Sequence, residues 1–361
     1  MTSRTNEYRP DYVSPPGETL EELLEERGMS QAELAERTGR PKKTINEIIQ
    51  GKAAITPETA LQLERVLGTP ARFWLTREQQ YREFLARQSD EQQLEQHVAW
   101  LDRVPWKEMV KRGWIEQRDE MLDQLREVLQ FFSIASPDQW SAAVAAHRQS
   151  QAFAANEVAV SAWLRQGERL GRAIDCVPFD AARFREVLHA ARALSREAPE
   201  VFLVRLPVLC APAGVAVVIL PELPQTRMCG AARWLSPTKA LIQLSLRYKR
   251  DDQFWFSFFH EAGHILLHGK RDAHLDEEDR EQTEKEDEAN GFASDFLIPP
   301  DTLRVYLQRR RGPFSTSEIE RFAADIGIAP GIVAGRLQHD KHVLPTHFNG
   351  LKRSLPKQVP Q

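Results

Sequence analysis

The chain has 361 residues, with 48 Lys and Arg against 52 Asp and Glu and a formal net charge of −4. At roughly 150 residues per domain this length calls for two or three domains, and a 42% hydrophobic, 28% charged composition excludes a disordered or fibrous chain. The near-neutral balance excludes a globally basic nucleic-acid binder, so any DNA-facing surface has to be local.

Cys176, Cys210 and Cys229 are odd in number and form no Cys-x-x-Cys pair, so neither a disulfide framework nor a thiolate zinc site is expected. Residues 1–16 are polar and lack the apolar core of a signal peptide. The longest uncharged apolar run, 206–221, is interrupted by Pro207, Pro212 and Gly214 and falls short of the ~20 residues of a membrane helix. A cytoplasmic chain without membrane association is expected.

In chain order, Leu20, Leu23 and Leu24 give a helical stripe with Glu21, Glu22, Glu25 and Glu26 on the wet side. Gly28 stops that helix, Ser30 caps the next, and Glu33 completes a capping box around Leu34 and Ala35. Gly39 makes the turn and Pro41 opens a third helix, whose inner face is Ile45, Ile48 and Ile49. Thr56 and Pro57 open a fourth, with Ala60, Leu61, Leu63, Val66 and Leu67 inward.

Short helix, glycine turn, short helix is the helix-turn-helix plan, in which the second helix of the pair reads the major groove through its N-terminal residues. Arg40, Lys42, Lys43, Thr44 and Asn46 stand at that end, with Arg37 and Lys52 flanking. These residue types hold phosphates and read base edges. The plain alternative is a helical hairpin with a solvated polar face. The glutamates of the first helix have to face away from DNA.

Residues 28–35 and 45–51, with 55–60 and 70–74, resemble the Cro/CI-type (Xre) helix-turn-helix, and HigA-type antitoxins in particular. The resemblance covers about residues 15–85. It implies double-stranded operator DNA as partner and a homodimer.

Long helical patterns run from 91 to 200, with breaks at Pro105, Pro137 and Pro178. Trp100, Trp106, Trp114 and Trp140, with residues 142–155 and 162–164, read as packing stripes. Strand-like runs then appear at 215–220 and 240–246, and the turn at 236–238 predicts that the second pairs with a strand near 229–234.

Within the next helical pattern, from about Asp252, lies His260-Glu-Ala-Gly-His264. Residues i and i+4 share a helix face, so two imidazoles can converge on one cation, and Glu261 can take a proton from water there. Phe254, Trp255, Phe258, Phe259 and Ile265 make the helix apolar on most sides, and buried imidazoles and carboxylates need partners. His268 lies ~12 Å along the axis from His260, too far to be a third ligand, and reads as a hydrogen-bonding or packing residue.

The third ligand is expected from a helix spanning about 284–298. Helical geometry puts Glu286 on the face of Ala289, Asn290, Ala293 and Leu297, and points Glu288 away from it. Asn290 can hold a ligand histidine in the second coordination layer, as can His268. Residues 276–281 read as a solvated acidic loop. Ligand type favours zinc. Tyr248, His339 and His342 are oxyanion donors by residue type alone.

The stretch from His260 to His268, followed by 286–293 and 296–299 and preceded by 234–243, resembles the ImmA/IrrE-type metallopeptidases over about residues 200–345. That resemblance implies a minimal zincin with a small antiparallel sheet, metal on His260, His264 and Glu286, and Glu261 as general base.

The expected architecture is α+β and mostly helical. It comprises a helix-turn-helix domain over 1–85, a helical middle domain over 86–200, a zincin domain over 201–345 and a flexible tail over 346–361. The expected function is a DNA-binding regulator whose zinc peptidase cleaves itself, a partner repressor or a toxin to relieve repression. The alternative is a non-proteolytic regulator or antitoxin whose zincin domain senses a ligand or binds a partner.

Overall fold

The computed structural model describes residues 12–140, 157–224, 226–268, 279–310 and 312–356, with backbone alone over 279–283. The chain forms two compact units, Met1–Val98 and Ala99–Gln361.

In the first unit, α1 (Pro16–Glu26), α2 (Gln31–Thr38), α3 (Lys42–Ile49), α4 (Pro57–Leu67) and α5 (Ala71–Glu95) enclose Leu20, Leu34, Ile45, Ile48, Leu63 and Trp74. The local chemistry follows the sequence. Ser30 Oγ accepts from the Glu33 amide at 3.1 Å, and Gly39 takes φ +68° to end α2. The Glu33 carboxylate pairs with Arg37 at 2.6 Å on the same helix. Gly17 is required by a close approach, since a Cβ there would lie 2.3 Å from the Ile48 carbonyl oxygen and 2.4 Å from that of Ile49. Leu61 departs from expectation. It is exposed, because the buried face of α4 is Thr59, Ala60, Leu63 and Leu67. The expected boundary at residue 85 falls inside α5, which runs unbroken to Glu95.

The second unit opens with α6 (Trp106–Lys111) and α7 (Met121–Phe132), then α8 (Glu157–Ala173), α9 (Ala181–Leu194) and α10 (Pro199–Cys210). The strands β1 (Val215–Ile219), β2 (Gly230–Ser236) and β3 (Lys239–Leu244) follow, and then α11 (Asp251–Leu267), α12 (Asp279–Leu297), α13 (Pro300–Arg309), α14 (Thr316–Ile326) and α15 (Pro330–His339). The packing stripe over 142–155 lies outside the described residues.

The sheet is mixed rather than antiparallel. The expected β2–β3 hairpin is present, with Ala232 opposite Ile242, but the order is β1-β3-β2. The segment after β1 carries the chain to the far edge, so β3 returns between the other two and runs parallel to β1, Val217 beside Ile242.

Side chains alternate across β3. Ala240, Ile242 and Leu244 join the core with Trp255, Phe258 and Phe259 of α11. Leu241 and Gln243 face α8, where a Cβ on Gly171 would lie 2.8 Å from Leu241 and one on Gly167 1.8 Å from Gln243. Gln243 donates to the Trp163 carbonyl at 2.7 Å, and the Trp163 indole donates to that of Leu220 at 2.9 Å. Residues 157–210 are therefore part of the same unit as the sheet and not a separate middle domain. A three-stranded sheet needs cover on both faces, and α11 supplies only one.

The expected flexible tail is also corrected up to residue 356. Asp251 and Asp252, at the start of α11, are buried, and they draw the C-terminal segment onto the helix. Arg353 pairs with Asp251 at 2.6 Å and Lys352 with Asp252 at 2.7 Å, while the Asp251 amide donates to the Arg353 carbonyl at 3.0 Å. The rest of that tail, 357–361 with Lys357, lies outside the described residues.

Candidate functional site

α11 carries His260, Glu261 and His264, and α12 crosses it closely enough to deliver a fourth group. Small residues permit the approach: a Cβ on Gly263 would lie 3.3 Å from the Ala289 Cα. α12 begins at Asp279, so Asp279, Arg280 and Glu281 are helical where a loop is expected, while 276–278 lie outside the described residues. An acidic run solvates a helix face as readily as a loop.

Glu286 Oε2 stands 3.3 Å from His260 Nε2, and its Oε1 stands 3.5 Å from His264 Nε2. The two Nε2 atoms are 3.0 Å apart. Among the described residues, His260, His264 and Glu286 are the group of potential ligands whose donor atoms all lie within 4.8 Å of one another. Asn290 Oδ1 accepts from His260 Nδ1 at 3.0 Å, which holds the ring with Nε2 turned towards the carboxylate and the second imidazole. Acceptors converging on one point fit a divalent cation, and two imidazoles with one carboxylate fit zinc.

The electrostatics follow from crowding. Hydrogen bonds from His260 and then His264 hold the Glu286 carboxyl well below the usual carboxylate range. Burial pulls the His260 pKa down, but the Glu286 hydrogen bond and the charges of Glu261 and Glu286 outweigh it and leave it raised. Glu261 is 7% exposed, and burial pushes its carboxyl up, against the pull of the two histidines. A raised carboxyl suits a group that must both take and give a proton.

His268 is not among the converging ligands. Its Nδ1 lies 2.9 Å from His264 Nδ1 and its Nε2 lies 3.1 Å from Glu288 Oε2. Glu288 therefore reaches the site, although helical geometry turns it from the face of Glu286. A residue flanking the facing side can still extend to a neighbouring helix, and only the position of His268 reveals it. Gly230 is likewise not flagged by sequence: a Cβ on it would lie 2.6 Å from Glu261 Oε1.

Tyr248 is exposed and lines a shallow surface cleft with Cys229, Arg247, Lys249, Gln253 and Ser257. Ser257 precedes Glu261 by one helical turn. His339 is exposed and bonded to Asp340 at 3.1 Å, and His342 is exposed.

At the second site, Lys42, Lys43 and Asn46 are exposed at the start of α3, and Thr44 is half-buried. Lys43 makes a loose pair with Glu47 at 3.7 Å. Arg40 is drawn onto α4, its Nε donating to Gln62 at 2.6 Å. Cys210 is buried, and Cys176 and Cys229 are partly so; all three are free thiols.

Residues 20–74 match the helix-turn-helix family and residues 217–338 match the IrrE N-terminal-like domain. Among curated proteins, the chain is similar to an uncharacterised HTH-type transcriptional regulator, YddM, of Escherichia coli K12. The identity is 37% over 60 residues, 17% of this chain and 64% of that protein. It is also similar to virulence-associated protein I of Dichelobacter nodosus, 40% identical over 67 residues, 18% of this chain and 62% of that protein. The chain thus spans less than two thirds of the length of these relatives. A solved addiction module antidote protein of the HigA family from Coxiella burnetii is 33% identical, over 23% of this chain and 92% of that one, with a TM-score of 0.22. The chain carries a Cro/CI-type helix-turn-helix domain at its N-terminus and an IrrE-like domain towards its C-terminus. Among the described residues no helix is long and apolar enough to cross a membrane.

Proposed function

We propose, from a chain that joins a helix-turn-helix domain to an IrrE-like domain, a DNA-binding transcriptional regulator with a zinc-dependent endopeptidase of its own. Its substrate is itself, a partner helix-turn-helix repressor or a toxin, and cleavage relieves repression of the operator it binds as a homodimer. The observation that carries the enzymatic half is the placement of Glu261. A buried carboxylate directly beside three converging ligands is costly for a scaffold and useful to a hydrolase.

His260, His264 and Glu286 would hold the ion, and Asn290 orients His260 through Nδ1. A bound zinc ion supplies Lewis acidity towards a scissile carbonyl and lowers the pKa of water. Glu261 then takes a proton from the attacking water at its carboxylate and passes it to the leaving amine nitrogen. On the DNA side, Lys42 and Lys43 would contact phosphates, Thr44 and Asn46 base edges, and Arg40 the backbone beside Gln62. The cytoplasm is where such a regulator meets its operator.

The test is incubation of the zinc-supplied full chain, wild type or Glu261→Gln, with helix-turn-helix repressors of the same cell and with itself alone. Fragments formed by the wild type and absent with Glu261→Gln support the reading. Identical mixtures overturn the peptidase half, and leave a DNA-binding regulator with a sensory metal domain.

A further inference from the structure

A patch of positive charge lies beside Glu261 and takes no part in holding a cation. The segment that joins β3 to α11 brings Arg247, Tyr248, Lys249 and Arg250 into the shallow cleft, and Ser257 of α11 borders it. Among the described residues no aspartate or glutamate lines the cleft. Leu246, Phe254 and Leu355, all buried, line it from beneath.

Two features tie the cleft to Glu261. Ser257 precedes Glu261 by four residues, about 6 Å along the helix. Cys229, also in the lining, adjoins Gly230, whose added Cβ would lie 2.6 Å from Glu261 Oε1. An extended peptide advances about 3.3–3.6 Å per residue, so a chain passing Glu261 brings a side chain over the cleft within one or two residues.

The cations of the cleft are not neutralised from within. Arg250 is engaged, its Nη1 donating to the carbonyls of Asn349 at 3.2 Å and Lys352 at 3.0 Å. Arg247 lies over the Tyr248 ring at 4.9 Å, donates to the Arg227 carbonyl and reaches the Cys229 thiol. A guanidinium has five N–H groups, so donors remain. Lys249 is exposed, and its backbone stands at φ +52°, a region uncommon for a side-chain-bearing residue. Two backbone hydrogen bonds hold it there, from its amide to the Leu246 carbonyl and from the Leu355 amide to its carbonyl, both at 3.0 Å. Among the described residues neither Arg247 nor Lys249 is paired with a carboxylate. The nearby Asp251 and Asp252 are already paired with Arg353 and Lys352.

We propose that this cleft is a substrate subsite for the carboxylate of an aspartate or glutamate one or two residues from the bond that is cut, selected by Arg247 and Lys249. This rests on the peptidase reading and gives it a substrate class, a peptide segment with an acidic residue beside the scissile bond. Two cations without counter-charges attract a carboxylate and repel a lysine or arginine in the same place.

The experiment uses the zinc-supplied full chain and a synthetic decapeptide library randomised at its six central positions, with the cut bonds read by mass spectrometry. Wild type is expected to show Asp and Glu enriched at a position within two residues of the cut. Arg247→Glu and Lys249→Glu should lose that enrichment and turn towards Lys and Arg, with kcat/KM on an acidic peptide down by about 10-fold or more. Arg205→Glu, on the exposed face of α10, makes the same change of charge and should keep the wild-type profile. Lys249 is exposed, so Lys249→Glu should keep the melting temperature and zinc stoichiometry of wild type.

A wild-type profile without acidic preference, or one unaltered in both reversed variants, overturns the proposal. A library left uncut by wild type counts against the peptidase reading instead. The cleft is then decided by binding, with immobilised Glu261→Gln, alone or combined with Lys249→Glu, exposed to the same library. Retention of acidic peptides by the first and not the second supports the subsite, and equal retention overturns it.

Discussion

A Cβ added to Gly230 would lie 2.6 Å from Oε1 of Glu261 and 2.8 Å from its Cγ, so the glycine that opens β2 sets how closely the carboxylate can approach the sheet. The clash is with the Glu261 side chain from Cγ outwards and not with backbone, so a turn of that side chain relieves it. Gly230→Ala is therefore expected to displace Glu261, the proposed general base, and leave His260, His264 and Glu286 in place. A shift of about 1 Å at a reacting group can cost about 100-fold in rate. Cleavage should fall by about that factor, with zinc stoichiometry and melting temperature close to wild type; loss of zinc as well would contradict the reading.

The ion pair between Arg353 and Asp251 makes a second expectation. Asp251 is fully buried at the start of α11, the helix that carries the site, so Arg353→Ala leaves an uncompensated carboxylate there. Breaking a buried pair costs about 3–5 kcal/mol, measurable by urea unfolding. Burial raises the Asp251 carboxyl above its ordinary 3.8, against the pull of Arg353, and removing the arginine raises it further. A carboxyl raised in the folded state favours folding when protonated, so that contribution is complete below the unfolded value and lost as pH rises through the folded one. The deficit of Arg353→Ala should thus shrink on acidification towards about pH 4, and a deficit independent of pH would count against the assignment.

The helix-turn-helix core offers a packing test at Gly17, which lies under the carbonyl ends of α3. A methyl group there meets backbone, which cannot rotate aside. Gly17→Ala is expected to destabilise the protein by roughly 1–3 kcal/mol, as overpacking does, and to weaken DNA binding with it. A melting curve unchanged in the first unit would show that the helices are not packed this closely.

For DNA itself, Lys42 and Lys43 are the exposed cations at the start of α3. Each phosphate that a lysine no longer neutralises lowers the dependence of log affinity on log salt by about 0.9. Lys42→Ala with Lys43→Ala should flatten that slope by up to about 1.8 and leave zinc binding intact. Asn46→Ala should instead reduce discrimination between operator and random DNA. An unchanged slope in the double variant would displace the recognition helix from α3.

The two functional motifs were legible because each rests on local spacing. The capping serine, the glycine at φ +68° and the isoleucine face of α3 specify the first, and residues four apart on one helix specify the second. The choice of Glu286 also follows from helical geometry, since small residues mark the facing side. What sequence left hidden depends on which elements meet. The position of β3 between β1 and β2, the covering of its far face by α8, and the docking of Lys352 and Arg353 onto α11 are long-range outcomes with no local signature. Glu288 belongs with them, because its partner lies on another helix.

The central claim is that this regulator is a protease. The most direct measurement compares protein N-termini by mass spectrometry in cells carrying wild type or Glu261→Gln, at rest and under stress. New N-termini that appear with the wild type alone are the expected result, and they name the substrate. Identical sets of N-termini under both conditions would contradict the claim.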